Sequence, residues 1–134
     1  MPNVYTYDPK KVTVAVGGRA ITDFANDGII TITHNEDRTT PSVGAQGDVT
    51  YSENANNSGN AALTVMSTSS SLPYLRDICA KRKEVRLDIA DANNSDSIHV
   101  SEERCRILKM PDAPRTKEQT AVTVNIYIPD LNYR

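Results

Sequence analysis

The chain has 134 residues, a formal net charge of -2 and 38% apolar side chains, which is the length of one domain with a thinner core than the about 45 to 50% apolar content of a typical one. Near-neutral charge argues against a basic nucleic-acid-binding surface, and no window approaches the roughly 18 consecutive apolar residues of a membrane helix. Val, Ile and Thr supply about a quarter of the residues, and these stiff side chains fit pleated sheets better than helices, so a mainly β chain is expected.

Valines alternating through Lys11-Val12-Thr13-Val14-Ala15-Val16 predict a half-buried strand. Gly17-Gly18 tolerates positive φ at both positions, so Arg19-Ala20-Ile21-Thr22 is expected to return as the second arm of a hairpin. After a short loop through Asn26-Asp27-Gly28, Ile29-Ile30-Thr31-Ile32-Thr33 reads as a strand. Residues 35–48 show no period and read as a long polar loop. Val49-Thr50-Tyr51-Ser52 and the run Ala61 to Ser67 flank a polar, Asn-rich tract, predicting a hairpin whose extended tip, 53–60, faces solvent or another subunit.

Leu72, Leu75, Ile78 and Cys79 recur at helical spacing after three serines, with Pro73 in the first turn, and predict a helix over about 72–81. Val85, Leu87 and Ile89 alternate in a strand that ends in the turn cluster 91–95. Strands resume near Ile98, Cys105 and Ile107 share a face, and Met110 to Pro114 interrupts. Val122, Val124, Ile126 and Ile128 form the longest clean alternation, which Pro129 ends. Without repeat or linker, residues 1–134 read as one domain of seven or eight strands and one helix, an α+β unit that is mainly β and sandwich- or barrel-like. With no Trp and one Phe, large core rings are scarce, and neighbouring subunits are expected to complete its stability.

Catalytic patterns are missing from the sequence. His34 and His99 have no second ligand at metal spacing, and no Gly-x-Ser-x-Gly elbow exists. Glu36-Asp37 and Glu102-Glu103 are adjacent pairs that a strand would point to opposite faces. Gly44 and Gly47 lack the Lys-Ser/Thr of a phosphate loop, and 91–96 does not fit a calcium loop. No enzyme, cofactor or metal site is expected. Cys79 and Cys105 are expected to be reduced and partly buried rather than bridged. The amino terminus has no basic region followed by an apolar run, so a cytoplasmic start is expected.

The order of these pieces resembles the tail tube proteins of contractile-tailed bacteriophages, also found in phage-like elements and tail-like bacteriocins. Tyr7-Asp8-Pro9-Lys10-Lys11-Val12-Thr13-Val14 is similar to that family's opening strand. Gly18 to Ala25 and Asp27-Gly28-Ile29-Ile30 are similar to the family's next segments. The most specific likeness is Glu36-Asp37-Arg38-Thr39-Thr40-Pro41-Ser42-Val43-Gly44-Ala45-Gln46-Gly47-Asp48-Val49. Asn54 to Leu75, Lys109-Met110-Pro111-Asp112 and Glu118-Gln119-Thr120 extend it over nearly the whole chain, while Ser69-Ser70-Ser71-Leu72-Pro73 is a looser helix entry than the family's.

The resemblance implies a tail-tube fold with an N-terminal extension over about 1–10 and a structural role without turnover or cofactor. Six copies would form a ring, and rings would stack into a hollow tube that conducts DNA during ejection without binding it specifically. The implied partners are further copies, the tail sheath, baseplate, tail-terminator and tape-measure proteins, with assembly in the host bacterial cytoplasm and residence in the virion. Pro41 biases Thr40 toward extended backbone, and Gly44 and Gly47 admit positive φ, so the segment reads as preset to lie against a partner. The resemblance makes that partner the adjacent ring, with Glu36, Asp37, Arg38, Thr40, Pro41, Val43, Gly44, Gln46, Gly47 and Asp48 as contact residues. Because clustered cations would brake a passing polyanion, a neutral to acidic lumen is expected. The competing reading is a β-sandwich binding module that recognises carbohydrate or a protein through polar loops.

Overall fold

The computed structural model describes residues 2, 4–25, 28–93 and 98–132. Nine strands and one α-helix occur among them: β1 Val12–Val16, β2 Arg19–Ala20, β3 Ile30–His34, β4 Thr39–Val43, β5 Val49–Glu53, β6 Gly59–Met66, α1 Ser71–Ala80, β7 Val85–Asp91, β8 His99–Cys105 and β9 Ala121–Ile128. Sheet order is β2-β1-β7-β8 in one layer, β3-β6-β9 in the second, and β4-β5 as a separate two-stranded ribbon. The expected turns at Asn26-Asp27 and through Asn94-Ser95 lie outside the described residues.

The layers close on each other because the alternation is strict. In β6, Ala61, Leu63 and Val65 are buried, and in β9 Val122, Val124, Ile126 and Ile128 are buried. The register sets Ala61 opposite Ile126, Leu63 opposite Val124 and Val65 opposite Val122. The first layer contributes Val14, Val16, Leu87, Ile89 and Val100 to the same cluster. Helix α1 adds Leu72, Leu75 and Ile78, the i, i+3, i+6 face that the sequence predicts. It is held at its outer side by Arg76, which donates to the carbonyls of Pro111 and Asp112 at 2.7 Å each. The turn between β1 and β2 forms as expected, with φ of 62° at Gly17 and 83° at Gly18.

Two differences from the sequence reading concern strand pairing. Residues 39–43 are a strand, not part of a loop, and Val49–Glu53 pairs with it rather than with the run from Ala61. β6 instead pairs with β3 on one side and β9 on the other. The reason is length. A strand buried on one face across eight residues gains far more from two ladders than from one short hairpin.

The two thiols are free. Cys105 is fully buried in β8, and desolvation, with the Glu102 charge second, pushes its thiol up to about 11. Little thiolate then exists near neutral pH, which makes it unreactive. Cys79, on α1, lies 3.6 Å from the Ile107 carbonyl. No helix among the described residues is long and apolar enough to cross a membrane.

Leu131, 1% exposed, closes one end of the core. Its backbone N–H donates to the Asn57 carbonyl at 2.9 Å, and its own carbonyl accepts from Asn57 Nδ2 at 2.9 Å and faces His34 Nε2 at 3.3 Å. A Cβ on Gly59 would sit 2.3 Å from Leu131 Cδ2 and 2.8 Å from the Thr33 carbonyl, so no side chain fits there. Gly59→Ala is expected to destabilise the fold by about 1 to 3 kcal/mol through overpacking, measured as a lowered urea midpoint at unchanged m-value.

Candidate assembly surface

The hairpin of β4 and β5 carries most of the residues singled out in the sequence. Its turn is built by a Gly44 N–H donating to the Asp48 carbonyl at 2.7 Å and a Gly47 N–H donating to the Gly44 carbonyl at 3.0 Å. Gly47 has φ of 92°, the left-handed residue of a type I turn with a bulge. Gly44 is not in that region. A Cβ there would only touch the Asp48 carbonyl at 3.7 Å, so of the two glycines that admit positive φ only Gly47 uses it.

Directly opposed residues share a face, and Val43 opposes Val49 while Pro41 opposes Tyr51. One face therefore presents Pro41, Val43, Val49 and Tyr51, and the other presents Thr40, Ser42, Thr50 and Ser52. Exposure is 69% for Val43, 51% for Val49 and 69% for Tyr51, so the chain's own core covers none of them. Val49 and Tyr51 were not among the residues singled out in the sequence because their alternation reads as that of a core strand. The signal that finds them is the mirror alternation of Pro41 and Val43 across the turn.

Pro41 is tolerated in the strand for a geometric reason. Bonds at Gly44 to Asp48 and at Arg38 to Asn54 bracket the ladder, and bonded and non-bonded pairs alternate between them, so Pro41 opposite Tyr51 is a non-bonded pair that needs no N–H toward its partner.

The junction between the hairpin and the sandwich is an elbow braced by side chains. Glu36 Oε2 accepts from Asn54 Nδ2 at 3.0 Å and Asn56 Nδ2 at 2.9 Å. Asn54 Nδ2 also reaches the Asp37 carbonyl at 3.0 Å, the Asn54 backbone N–H donates to the Arg38 carbonyl at 2.8 Å, and Asn35 Nδ2 donates to Ser58 Oγ at 3.1 Å. The Asn-rich tract is thus not the free hairpin tip that the sequence reading expects. Asn54 and Asn56 are engaged in this elbow, while Asn57 Nδ2 donates to Asp130 Oδ1 and the Leu131 carbonyl and Asn60 Nδ2 donates to Asn125 Oδ1. Hydrogen bonds from Asn54 and then Asn56 hold the Glu36 carboxyl below its ordinary pKa. Gln46 and Asp48 stand exposed in the turn, as do Asp37 and Arg38 at the elbow and Thr40 on the strand.

The two outward sheet faces differ in charge. On the β1–β7–β8 layer, Arg86 Nε lies 3.1 Å from Asp88 Oδ1 and Arg86 Nη1 lies 3.6 Å from Glu103. Burial pushes the Asp88 carboxyl up, but hydrogen bonds from Ser101 and Arg86 outweigh it and leave the pKa lowered. On the β3–β6–β9 layer the outward positions are Thr31, Thr33, Asn60, Ala62, Thr64, Met66, Ala121, Thr123, Asn125 and Tyr127, and none is charged. His34 is half-buried against Leu131 and His99 is exposed; among the described residues no three His, Cys, Asp or Glu side chains are grouped to hold a metal.

Two sheets, one helix and a separate two-stranded hairpin have counterparts among solved structures of contractile systems. A chain of the extended-state sheath-tube complex of PVC, an extracellular contractile injection system, superposes with a TM-score of 0.57 at 11% identity, covering 97% of this chain and 92% of that one. The tube-terminating cap of the anti-feeding prophage gives 0.53 at 8% identity over 100% and 94%. The PVC sheath/tube terminator gives 0.53 at 12% over 98% and 98%. At these identities the likeness is one of fold. No curated protein matches by sequence. The bacteriophage PhiTE tail tube protein family matches residues 12–132, and the chain belongs to that family.

The hairpin geometry sets two expected outcomes. Gly47→Val is expected to cost about 1 to 2 kcal/mol of turn strain and to misplace the apolar face, whereas Gly44→Ala leaves it in place; hairpin chemical shifts and circular dichroism distinguish them. Because the Glu36 pKa is depressed, its contribution is present above the ordinary carboxylate range and lost as pH falls through the lowered value. The Asn54 and Asn56 side-chain amide resonances should collapse toward free values on acidification, and Glu36→Gln should abolish that step.

Proposed function

We propose that the protein is the inner-tube subunit of a contractile phage tail, forming six-membered rings that stack into a hollow conduit for DNA. The observation that carries this reading is the hairpin, which projects four apolar side chains that its own chain leaves uncovered. Exposed apolar clusters on a small chain mark a protein contact. A contact between one end of a subunit and a different surface of the next is heterologous, so it closes rings or propagates a filament. Glu36, Asp37, Arg38, Thr40, Pro41, Val43, Gly44, Gln46, Gly47 and Asp48 form or brace that contact, joined by Val49 and Tyr51. The sheath surrounds the tube, a terminator ends it, and baseplate and tape-measure proteins take part in assembly, which places the product in the virion.

The uncharged outer face of β3–β6–β9 suits the tube wall. A polyanion sliding past Thr, Asn and Ala meets no cations whose counterion-release affinity would brake it. Purified protein is expected to show rings or tubes in negative-stain electron microscopy. Thr123→Lys with Asn125→Lys should leave tubes intact while lowering the DNA ejection rate of complemented particles at low salt, an effect relieved as salt rises. Only compact monomers at high concentration would refute the assembly; undiminished ejection from the double-lysine tube would refute the wall.

A further inference from the structure

The carboxyl end of α1 and the chain that leaves β8 enclose a cleft of about 490 Å³, lined by Cys79, Arg82, Arg106, Leu108 and Met110. It combines positive charge with uncovered apolar surface. Leu108 is 69% exposed and Met110 43%, while Arg106 is half-buried and its Nη2 donates to the Arg82 carbonyl at 3.0 Å. Neither guanidinium closes an ion pair among the described residues. Acids close by in the chain are closed onto other cations, Asp77 onto Lys81 Nζ at 3.1 Å and Glu84 onto Arg104 Nε at 3.0 Å. Arg82 also stands where glycine is the usual residue. It follows the helix with φ of 54°, its N–H donating to the Cys79 carbonyl at 3.1 Å and the Lys83 N–H to the Ile78 carbonyl at 3.3 Å, the left-handed cap that closes a helix. A residue other than glycine is strained in that conformation, and here the strained residue adds a guanidinium to the cleft. We propose that this cleft docks an acidic amphipathic segment of a protein other than this chain, its carboxylates on Arg82 and Arg106 and its apolar side chains on Leu108 and Met110.

Charge and apolar surface together select the occupant. A guanidinium matches a carboxylate with two parallel hydrogen bonds, and the uncovered Leu108 and Met110 call for apolar side chains from the same partner. A helix supplies both when acidic and apolar residues recur at i and i+3 or i+4. Nucleic acid fits less well, because no aromatic ring lines the cleft for base stacking and phosphates leave Leu108 and Met110 unmatched. A second copy of the chain also fits less well. The apolar face it leaves uncovered on the hairpin, Pro41, Val43, Val49 and Tyr51, has no carboxylate among its four side chains to meet the arginines. The inference stands on the single subunit and goes beyond the tube reading.

The test uses the full chain and a fluorescently labelled helical peptide of about four turns, with Glu and Leu repeating at i and i+4 along one face. Fluorescence anisotropy should show binding that weakens as salt rises. Arg82→Gly and Arg106→Gln should each raise the dissociation constant about three- to tenfold. Leu108→Ser should weaken binding without changing its salt dependence. Because glycine relieves the positive φ, Arg82→Gly should lose affinity with no fall in urea midpoint, which separates a lost contact from a damaged fold. Absence of peptide binding overturns the proposal, as do equal binding of the same peptide with Gln in place of Glu and unchanged binding by the arginine variants. A short DNA duplex that binds these arginines more tightly than the peptide overturns it in favour of a nucleic acid. Loss of rings or tubes in the Arg82→Gly, Arg106→Gln double variant, seen by electron microscopy, overturns it in favour of a second copy.

Discussion

The antiparallel pairing of β6 with β9 is the constraint on which the rest depends. Eight consecutive residue pairs run from Gly59 opposite Ile128 to Met66 opposite Ala121, and every second pair is buried. Each buried Leu, Ile or Val side chain is worth about 1.5 to 3 kcal/mol relative to exposure. A one-residue slip would turn all of them to solvent together, so the register is strongly specified. That ladder fixes where β3 lies, and β3 fixes the hairpin at its end. Hydrogen bonds gathered at Glu36 brace the root of the hairpin, and Gly59 leaves the room in which Leu131 packs beside the Thr33 carbonyl.

Strands with one buried face were legible in the sequence because their alternation is a direct record of burial. Val12 to Val16, Val85 to Ile89 and Val122 to Ile128 come out where the periodicity puts them, as does the helix, found at Ser71–Ala80. The hairpin arm was not legible, since neither of its faces is buried in the chain and no solvent-to-core alternation is written into it. Pro41 added to this by resembling a strand breaker, when the non-bonded register makes it harmless. The Asn-rich tract misled for a related reason. Composition shows that amides are present but not that Glu36 collects them from across an eighteen-residue gap. Family resemblance singled out residues 36–48 where periodicity could not, but without the hairpin shape found there.

A thin core and an external arm are two aspects of one economy of burial. Within the subunit, Leu, Ile and Val close the sandwich, while other apolar side chains, Val43, Val49, Tyr51, Tyr7 and Leu108 among them, stay outside. Aromatic residues are largely withheld from the interior, where Phe24 is only partly buried against the cluster. A subunit with so few internal rings has stability to gain from anything that binds only its folded form, and under the proposed assembly that is a further copy.

Pro41 has a further consequence for the subunit before it assembles. In a non-bonded pair the backbone N–H and C=O point away from the partner strand, so at Pro41 the outer edge of β4 lacks a donor where an incoming strand would seek one. An exposed apolar ribbon with an intact edge would recruit identical ribbons by strand addition and grow into cross-β fibres. Pro41 thus blunts the β4 edge at one position against backbone pairing, while the apolar face stays open to side-chain contact. One proline thereby removes, from one of the ribbon's two edges, a place where an identical ribbon could add as a further strand.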